Sequence, residues 1–278
     1  LTQVQFVKYQ GTGNDFILIE DLYGNFPSLD KEFTALLCDR HFGIGADGLV
    51  LCQSSSKADF RMRYFNSDGL EAAMCGNALR CLIAFLRDQA MIDKSCQIET
   101  AVGIHDATIT RDGKIFVSMM MPSLKKMHKE GAHVLSSVDH FVVMSDDLFA
   151  LDVQKEGERI RYDRRFKPNG VNVNFVHYSG KERFMMRTYE KGVEAETLSC
   201  GTGAVAAAFV LKNIMNLSVS SVEFASKEIL EFSFEAHRVW ISGKTERVFE
   251  GFIIPKKSKN IYDTSKTTEN ISYAHRHS

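Results

Sequence analysis

The sequence predicts an α+β protein of two similar, pseudo-symmetric domains, each a set of strands wrapped around a central helix. Three observations carry this. Residues 76–90 and 201–213 form two helical stretches that are apolar nearly all round (Ala78, Leu79, Cys81, Leu82, Ile83, Ala84, Phe85 and Leu86; Ala204 through Leu211). A helix without a wide polar face is buried on most sides. Short β-type runs surround both helices. Each helix is also introduced in the same way, by a strand, a polar residue, a turn glycine, a short acidic loop and Cys-Gly.

In chain order, residues 16–19 (Phe-Ile-Leu-Ile) read as the first strand. Asp30 is a suitable N-cap for a helix that puts Phe33, Leu36 and Leu37 on one face. Residues 48–51 and 61–65 read as strands ahead of the first apolar helix. Residues 115–119 read as a strand that ends before Pro122, and the basic, polar stretch 123–131 reads as a connection between domains. Strands are expected again at 141–144, 173–176 and 184–189, then the second apolar helix, then a strand at 239–242. From Pro255 the chain is rich in Lys, Ser, Thr and Asn with no amphipathic period, which reads as a flexible or loosely docked tail.

The chain has 278 residues, with 34 Lys+Arg against 35 Asp+Glu. A net charge of -1 argues against nucleic acid as the main partner, because phosphate recognition needs a basic face. No apolar run approaches the ~20 residues of a membrane span. The first residues do not read as a signal peptide, so a cytoplasmic protein is expected. The six cysteines have neither C-x-x-C spacing nor His partners at ligand spacing, so neither a metal site nor a disulfide framework is expected. Cys38, Cys52, Cys81 and Cys96 lie within apolar patterns and read as packing residues.

Cys75 and Cys200 differ from those four. The internal repeat places one at the N-terminus of each apolar helix, each followed by glycine (Gly76, Gly201). Free N–H groups and the positive end of the helix dipole favour a thiolate there. Glycine lets a ligand approach those N–H groups closely. Two such helix ends facing one another would hold a carboxylate, with a thiol on either side of its α-carbon. One thiolate could then remove the α-proton while the opposite thiol delivers another, a stereoinversion that needs no cofactor. Asn14, Asn66, Asn77, Asn172 and Glu190 cluster near the two motifs. Glu190 could accept from an ammonium group, and Lys191 could meet a carboxylate. A second echo pairs residues 13–17 with 171–176, each with an Asn at the mouth of an apolar strand.

Residues 11–16 (Gly-Thr-Gly-Asn-Asp-Phe), 39–48 (Asp-Arg-His-Phe-Gly-Ile-Gly-Ala-Asp-Gly), 65–69 through Cys75-Gly76-Asn77, and 189–194 through Cys200-Gly201-Thr202-Gly203 together resemble the diaminopimelate epimerase family. The resemblance runs from about residue 4 to 254. It implies a cofactor-independent, two-cysteine interconversion of LL- and meso-diaminopimelate in lysine and peptidoglycan precursor synthesis, without pyridoxal phosphate. It implies a homodimer acting on a small-molecule substrate. It also implies two domains of strongly curved sheet, at 1–122 with a returning strand at 249–256 and at 123–248, leaving 257–278 as a flexible tail. Cys75 and Cys200 match the family's acid and base. Asn14, Asn66, Gly76, Asn77, Asn172, Glu190, Gly201 and Thr202 match substrate-binding positions, and His140 and Glu190 match residues that tune the thiols.

The departures are specific. Lys191 stands where the family usually has Arg, and a point charge replaces a planar fork for the distal carboxylate. Gly48 stands where some members have Gln. Ser137-Val138-Asp139-His140 replaces the usual Gly-x-Pro-His. Three rival readings remain at this stage. One is a proline or hydroxyproline racemase on the same fold. Another is a non-catalytic relative that kept the pocket. The third is a dinucleotide enzyme using Gly201-x-Gly203-x-x-Ala206, which the long loop between Tyr189 and Gly201 disfavours, because that fingerprint needs strand, tight turn and helix in succession.

Overall fold

The two apolar helices organise everything else in the fold. In the computed structural model, which describes residues 3–26 and 30–253, the first half runs β1 (Val4–Gly11), β2 (Asn14–Glu20), α1 (Lys31–Cys38), β3 (Gly48–Gln53), β4 (Phe60–Asn66), β5 (Glu71–Ala72), α2 (Gly76–Asp88), β6 (Ser95–Thr100), β7 (Gly103–Ile109) and β8 (Ile115–Met120). The second half repeats that order. It runs β9 (Ser123–Met127), β10 (Ala132–Ser136), β11 (Val138–Met144), α3 (Val153–Arg161), β12 (Asn172–Gly180), β13 (Arg183–Glu190), β14 (Ala195–Thr197), α4 (Gly201–Phe209), β15 (Ser221–Phe224), β16 (Ile229–Phe234) and β17 (Arg238–Gly243), and ends with β18 (Thr245–Ile253).

The pairings repeat as closely as the order. β2 is parallel to β3, β3 antiparallel to β4, and β4 parallel to β6; β11, β12, β13 and β15 are related in the same way. Helix α2 lies against β1, β2, β3, β4, β8 and β18, and α4 against β10, β11, β12 and β16. A single helix touches so many strands only when the sheet curls round it. Ala78, Leu79, Leu82, Ile83 and Leu86 of α2 are buried, as are Ala204 through Ala208 of α4, and all join one apolar cluster that spans both halves. Each buried Leu or Ile contributes about 1.5–3 kcal/mol.

The halves meet where β8 pairs with β17. The chain then returns, and β18 pairs with β1 along its length, from Val4 opposite Ile253 to Gly11 opposite Thr245. In the second half the corresponding place beside β10 is taken by β9. The last strand thus supplies the first half with the edge that β9 gives the second. The tail expected at 257–278 lies outside the described residues.

Two sequence expectations need correction. The stretch 123–131 is not merely a connection, because β9 occupies Ser123–Met127 and pairs with β10. Every residue of β9 is exposed, so no apolar alternation marks it; this is an edge strand with both faces in water. The second echo also paired the wrong strands. The strand that Asn14 opens, β2, is matched by β11, whereas Asn172 opens β12, whose counterpart is β3 beginning at Gly48. An Asn ahead of an apolar strand is too common a turn signal to set register. Helix α3, which the sequence reading did not anticipate, carries only Val153, Gly157 and Ile160 as buried residues.

Candidate active site

Cys75 and Cys200 take extended backbone conformations and are the N-caps of α2 and α4. The two helix starts abut. A Cβ added to Gly201 would touch Gly76 Cα at 3.6 Å and crowd the Asn77 amide at 3.2 Å, which shows how closely the two helix starts approach. Above them opens a cleft of about 620 Å³ lined by both cysteines, by Gly76, Asn77, Gly201 and Thr202, and by Asn14, Asn66, Asn172, Glu190 and Lys191. The cleft therefore brings together every candidate residue except His140, which is fully buried behind Thr202.

Each candidate is held by identifiable bonds. Asn14 ties the halves together: its Nδ2 donates to Asp47 (3.0 Å), and its Oδ1 accepts from Asn77 of α2 and from Ser199 (3.2 Å), the residue before Cys200. Asn77 Nδ2 also donates to Ser199 Oγ (3.0 Å). Asn77 Oδ1 accepts from the fully buried Arg80 (3.0 Å), which reaches Thr12 Oγ1 as well (3.0 Å). Asn172 Oδ1 accepts the Lys191 backbone N–H (2.8 Å), which fixes where that side chain leaves β13. Glu190 accepts from Thr197 Oγ1 (2.7 Å), and its charge acts on the Cys200 thiol.

The electrostatics differ from the sequence expectation. Burial pushes the Cys75 thiol up to about 11, against the lowering effect of the Ala78 and Asn77 N–H groups. Burial and then the Glu190 charge push Cys200 well above the ordinary thiol range, against the Gly203 N–H and the Thr202 hydroxyl. The helix-terminus donors are present, but desolvation outweighs them. Burial raises Glu190 too. It also drives His140 down to about 3, so its imidazole is neutral. His140 Nε2 lies 3.1 Å from Thr202 Oγ1, which is 3.7 Å from Cys200 Sγ.

The departures have structural readings. Ser137 adopts a left-handed conformation (φ 63°) in a tight β10–β11 hairpin, which sets Val138 at the cleft and joins Asp139 to Lys125 (2.6 Å) and His133 (3.0 Å). Gly48 is required because the Tyr64 ring and the Phe65 carbonyl occupy the space a Cβ would need. Tyr64 itself lines the cleft, as do Arg40 and Asp47. Arg40 grips Asp15 through two bonds (2.9 and 2.7 Å) and Asp47 through one (2.9 Å). Sequence reasoning missed Tyr64, Arg40, Asp47, Ser199 and Asn174 as site residues. Three signals were available: Arg40 and Asp47 lie inside the 39–48 motif, Ser199 precedes Cys200, and Asn174 shares a strand face with Asn172.

The family model for diaminopimelate epimerase matches residues 6–127 and 133–233. The chain belongs to the diaminopimelate epimerase family. Among curated relatives, the diaminopimelate epimerase of Flavobacterium psychrophilum is 39% identical over 89% of this chain and 99% of its own length. That of Aquifex aeolicus is 37% identical over 89% of this chain and 97% of its own. The same fold occurs in a hydroxyproline epimerase from Agrobacterium vitis solved with trans-4-hydroxy-L-proline (TM-score 0.70, 14% identity, covering 90% of this chain and 91% of that one). It occurs again in a Bacillus anthracis protein of the phenazine biosynthesis PhzF family (TM-score 0.69, 17% identity, covering 92% and 100%). The curled-sheet, two-helix architecture thus recurs in proteins with little sequence similarity to this chain.

Proposed function

We propose that the protein interconverts LL- and meso-diaminopimelate by two-base proton transfer between Cys75 and Cys200, without pyridoxal phosphate, and so serves lysine and peptidoglycan precursor synthesis. The observation that carries this reading is the pair of cysteine-capped helix N-termini abutting at the floor of one cleft in a chain of this family. The N–H groups of Gly76, Asn77, Gly201 and Thr202 are suited to receive the α-carboxylate of an amino acid. One thiolate takes the α-proton and becomes a thiol. The opposite thiol gives its proton to the other face of the α-carbon and becomes the thiolate, so the two sulfurs exchange protonation states in each turnover.

Both thiols are protonated in the unliganded cleft at neutral pH. Glu190, whose charge acts on the Cys200 thiol, is the candidate acceptor for its proton. Asn66, Asn172 and Lys191 also line the cleft and suit a second amino-acid head. A proline or hydroxyproline racemase is not favoured, since likeness to the hydroxyproline epimerase is at the level of fold alone. We further infer a homodimer, as the family resemblance implies, acting in the cytoplasm, with its two lobes divided near Pro122. The test is incubation with LL-diaminopimelate in D₂O, followed by NMR at the α-position. Exchange and isomerisation without added cofactor are expected; absence of both above background refutes the reading.

A further inference from the structure

The pseudo-symmetry allows the surroundings of the two thiols to be compared position by position. In the first half, Leu18 of β2, Val50 of β3 and Tyr64 of β4 lie side by side, and Tyr64 pairs with Ala72, three residues before Cys75. In the second half, Val142, Asn174 and Thr188 lie side by side, and Thr188 pairs with Thr197, three residues before Cys200. Two residues back along the first strand, Phe16 corresponds to His140. The first half thus carries Phe16, Val50 and Tyr64 at these places, with the Phe16 and Tyr64 rings edge to face at 6.0 Å. The second half carries His140, Asn174 and Thr188 at the same three places.

Those three polar residues form a continuous chain that ends on Cys200. Thr188 Oγ1 donates to Asn174 Oδ1 (3.1 Å). Asn174 Nδ2 lies 3.1 Å from His140 Nδ1, and His140 Nε2 lies 3.1 Å from Thr202 Oγ1. Thr202 Oγ1 is 3.7 Å from Cys200 Sγ. Thr188, Asn174 and His140 are each at most 2% exposed, so water does not compete. The orientation of the Asn174 amide decides the direction of the whole chain. Its Oδ1 lies where a Cβ of Gly203 would be, so an α-hydrogen of Gly203 points onto it. An oxygen accepts such a C–H contact and an NH₂ group does not. With Oδ1 there, Nδ2 donates to His140 Nδ1, the imidazole proton must sit on Nε2, and Nε2–H donates to Thr202. The Thr202 hydroxyl then has its own hydrogen left for the sulfur. The titratable and charged groups facing this chain are Glu190 and Cys75 toward Cys200, and Asp139 and Lys191 toward His140; both ring nitrogens are taken by Asn174 and Thr202.

We propose that Asn174, backed by Thr188, is a positioning residue that fixes the His140 tautomer and so turns the Thr202 hydroxyl toward Cys200, a device that Cys75 lacks. This rests on the two-thiol reading above. It gives the two sulfurs different standing: Cys75 relies on backbone donors alone, and Cys200 has a side-chain donor of fixed direction as well.

Two measurements that need no turnover test it. In protein labelled with ¹⁵N-histidine, NMR should show His140 protonated on Nε2 and bare on Nδ1; the Nδ1–H tautomer overturns the proposal. In a Cys75→Ser background, Asn174→Leu should slow iodoacetamide alkylation of Cys200 at pH 8 about tenfold, the effect of losing one donor to a charged sulfur. In a Cys200→Ser background, the same substitution should change Cys75 alkylation by less than about twofold, since no side-chain donor is lost there. Equal slowing at both thiols would mark a general disturbance and overturn the proposal, and so would unchanged reactivity of Cys200. Thr188→Val, which removes only the hydroxyl feeding Asn174, should slow Cys200 in the same direction and serves if Asn174→Leu does not fold. A protein with the expected tautomer and thiol reactivity but no α-proton exchange would tell against the epimerase reading alone.

Discussion

Cys75 and Cys200 occupy equivalent places in the two halves, yet the halves differ: one has an aromatic pair where the other has a polar chain that reaches Cys200. If both are acid–base groups, Cys75→Ala and Cys200→Ala should each abolish epimerisation. Full activity in either would sink the assignment. Lys191 lines the cleft with its backbone N–H held by Asn172, and presents an ammonium where a guanidinium would form two parallel bonds to a carboxylate. Lys191→Arg should therefore lower KM several-fold with kcat within about twofold; an unchanged KM counts against distal recognition by this residue. The cysteines, asparagines and Glu190 were legible because they stand in local motifs with Cys-Gly or turn glycines beside them. Tyr64 was not, since it reads as an ordinary strand residue, and Asn174 was marked only by sharing a strand face with Asn172. What makes them part of the site is the neighbour across the sheet, and only register supplies that.

At the scale of elements, the apolar helices and eight of the strands were legible from hydrophobic runs, and Asp30 does cap α1, accepting the Phe33 N–H at 2.9 Å. Helix α3 and strand β9 escaped for different reasons: α3 buries Val153, Gly157 and Ile160 at i, i+4 and i+7 but is otherwise polar with a glycine in the stripe, whereas β9 buries nothing and shows no alternation. The expectation that a helix N-terminus lowers a thiol's pKa considered one effect of two. The N–H donors are in place at Cys75, but the surrounding protein also desolvates the sulfur, and that effect is larger. The mouth of β3 offers a direct test of packing at the cleft. Gly48→Ala pushes on the Tyr64 ring and the Phe65 carbonyl. Thermal denaturation should show a loss of about 1–3 kcal/mol; an unchanged melting curve would mean that Tyr64 moves freely and that Gly48 is not required.

At the scale of the whole molecule, four thiols take no part in the proposed chemistry and are buried. Burial pushes Cys38, Cys52 and Cys96 up to about 12, and Cys81 higher still. Below the unfolded-chain value of about 8.5, both native and unfolded states keep these protons and stability is unaffected. Above it, the unfolded chain releases protons that the native state retains. Each thiol then favours unfolding by about 1.4 kcal/mol per pH unit until its folded value is reached. Thermal melts under reducing conditions should therefore hold steady near pH 8 and fall steeply between pH 9 and 11. Serine at these positions should flatten that fall. Oxidants act differently, because Cys75 and Cys200 share one cleft. Inactivation that a reductant reverses is expected through a Cys75–Cys200 disulfide, and finding both thiols free in the inactivated protein would contradict it.

The return of the last strand also decides how the molecule yields to force. Val4 and Ile253 are opposite one another at the same end of the β1–β18 ladder, and Gly11 and Thr245 close the other end. Tension applied through the two ends of the described chain therefore opens this ladder like a zipper, one rung at a time, instead of shearing all its hydrogen bonds at once. A machine that threads the protein from either end would peel away β18 or β1 at low load. The abutting helix starts would meet the pull only after that seam had parted.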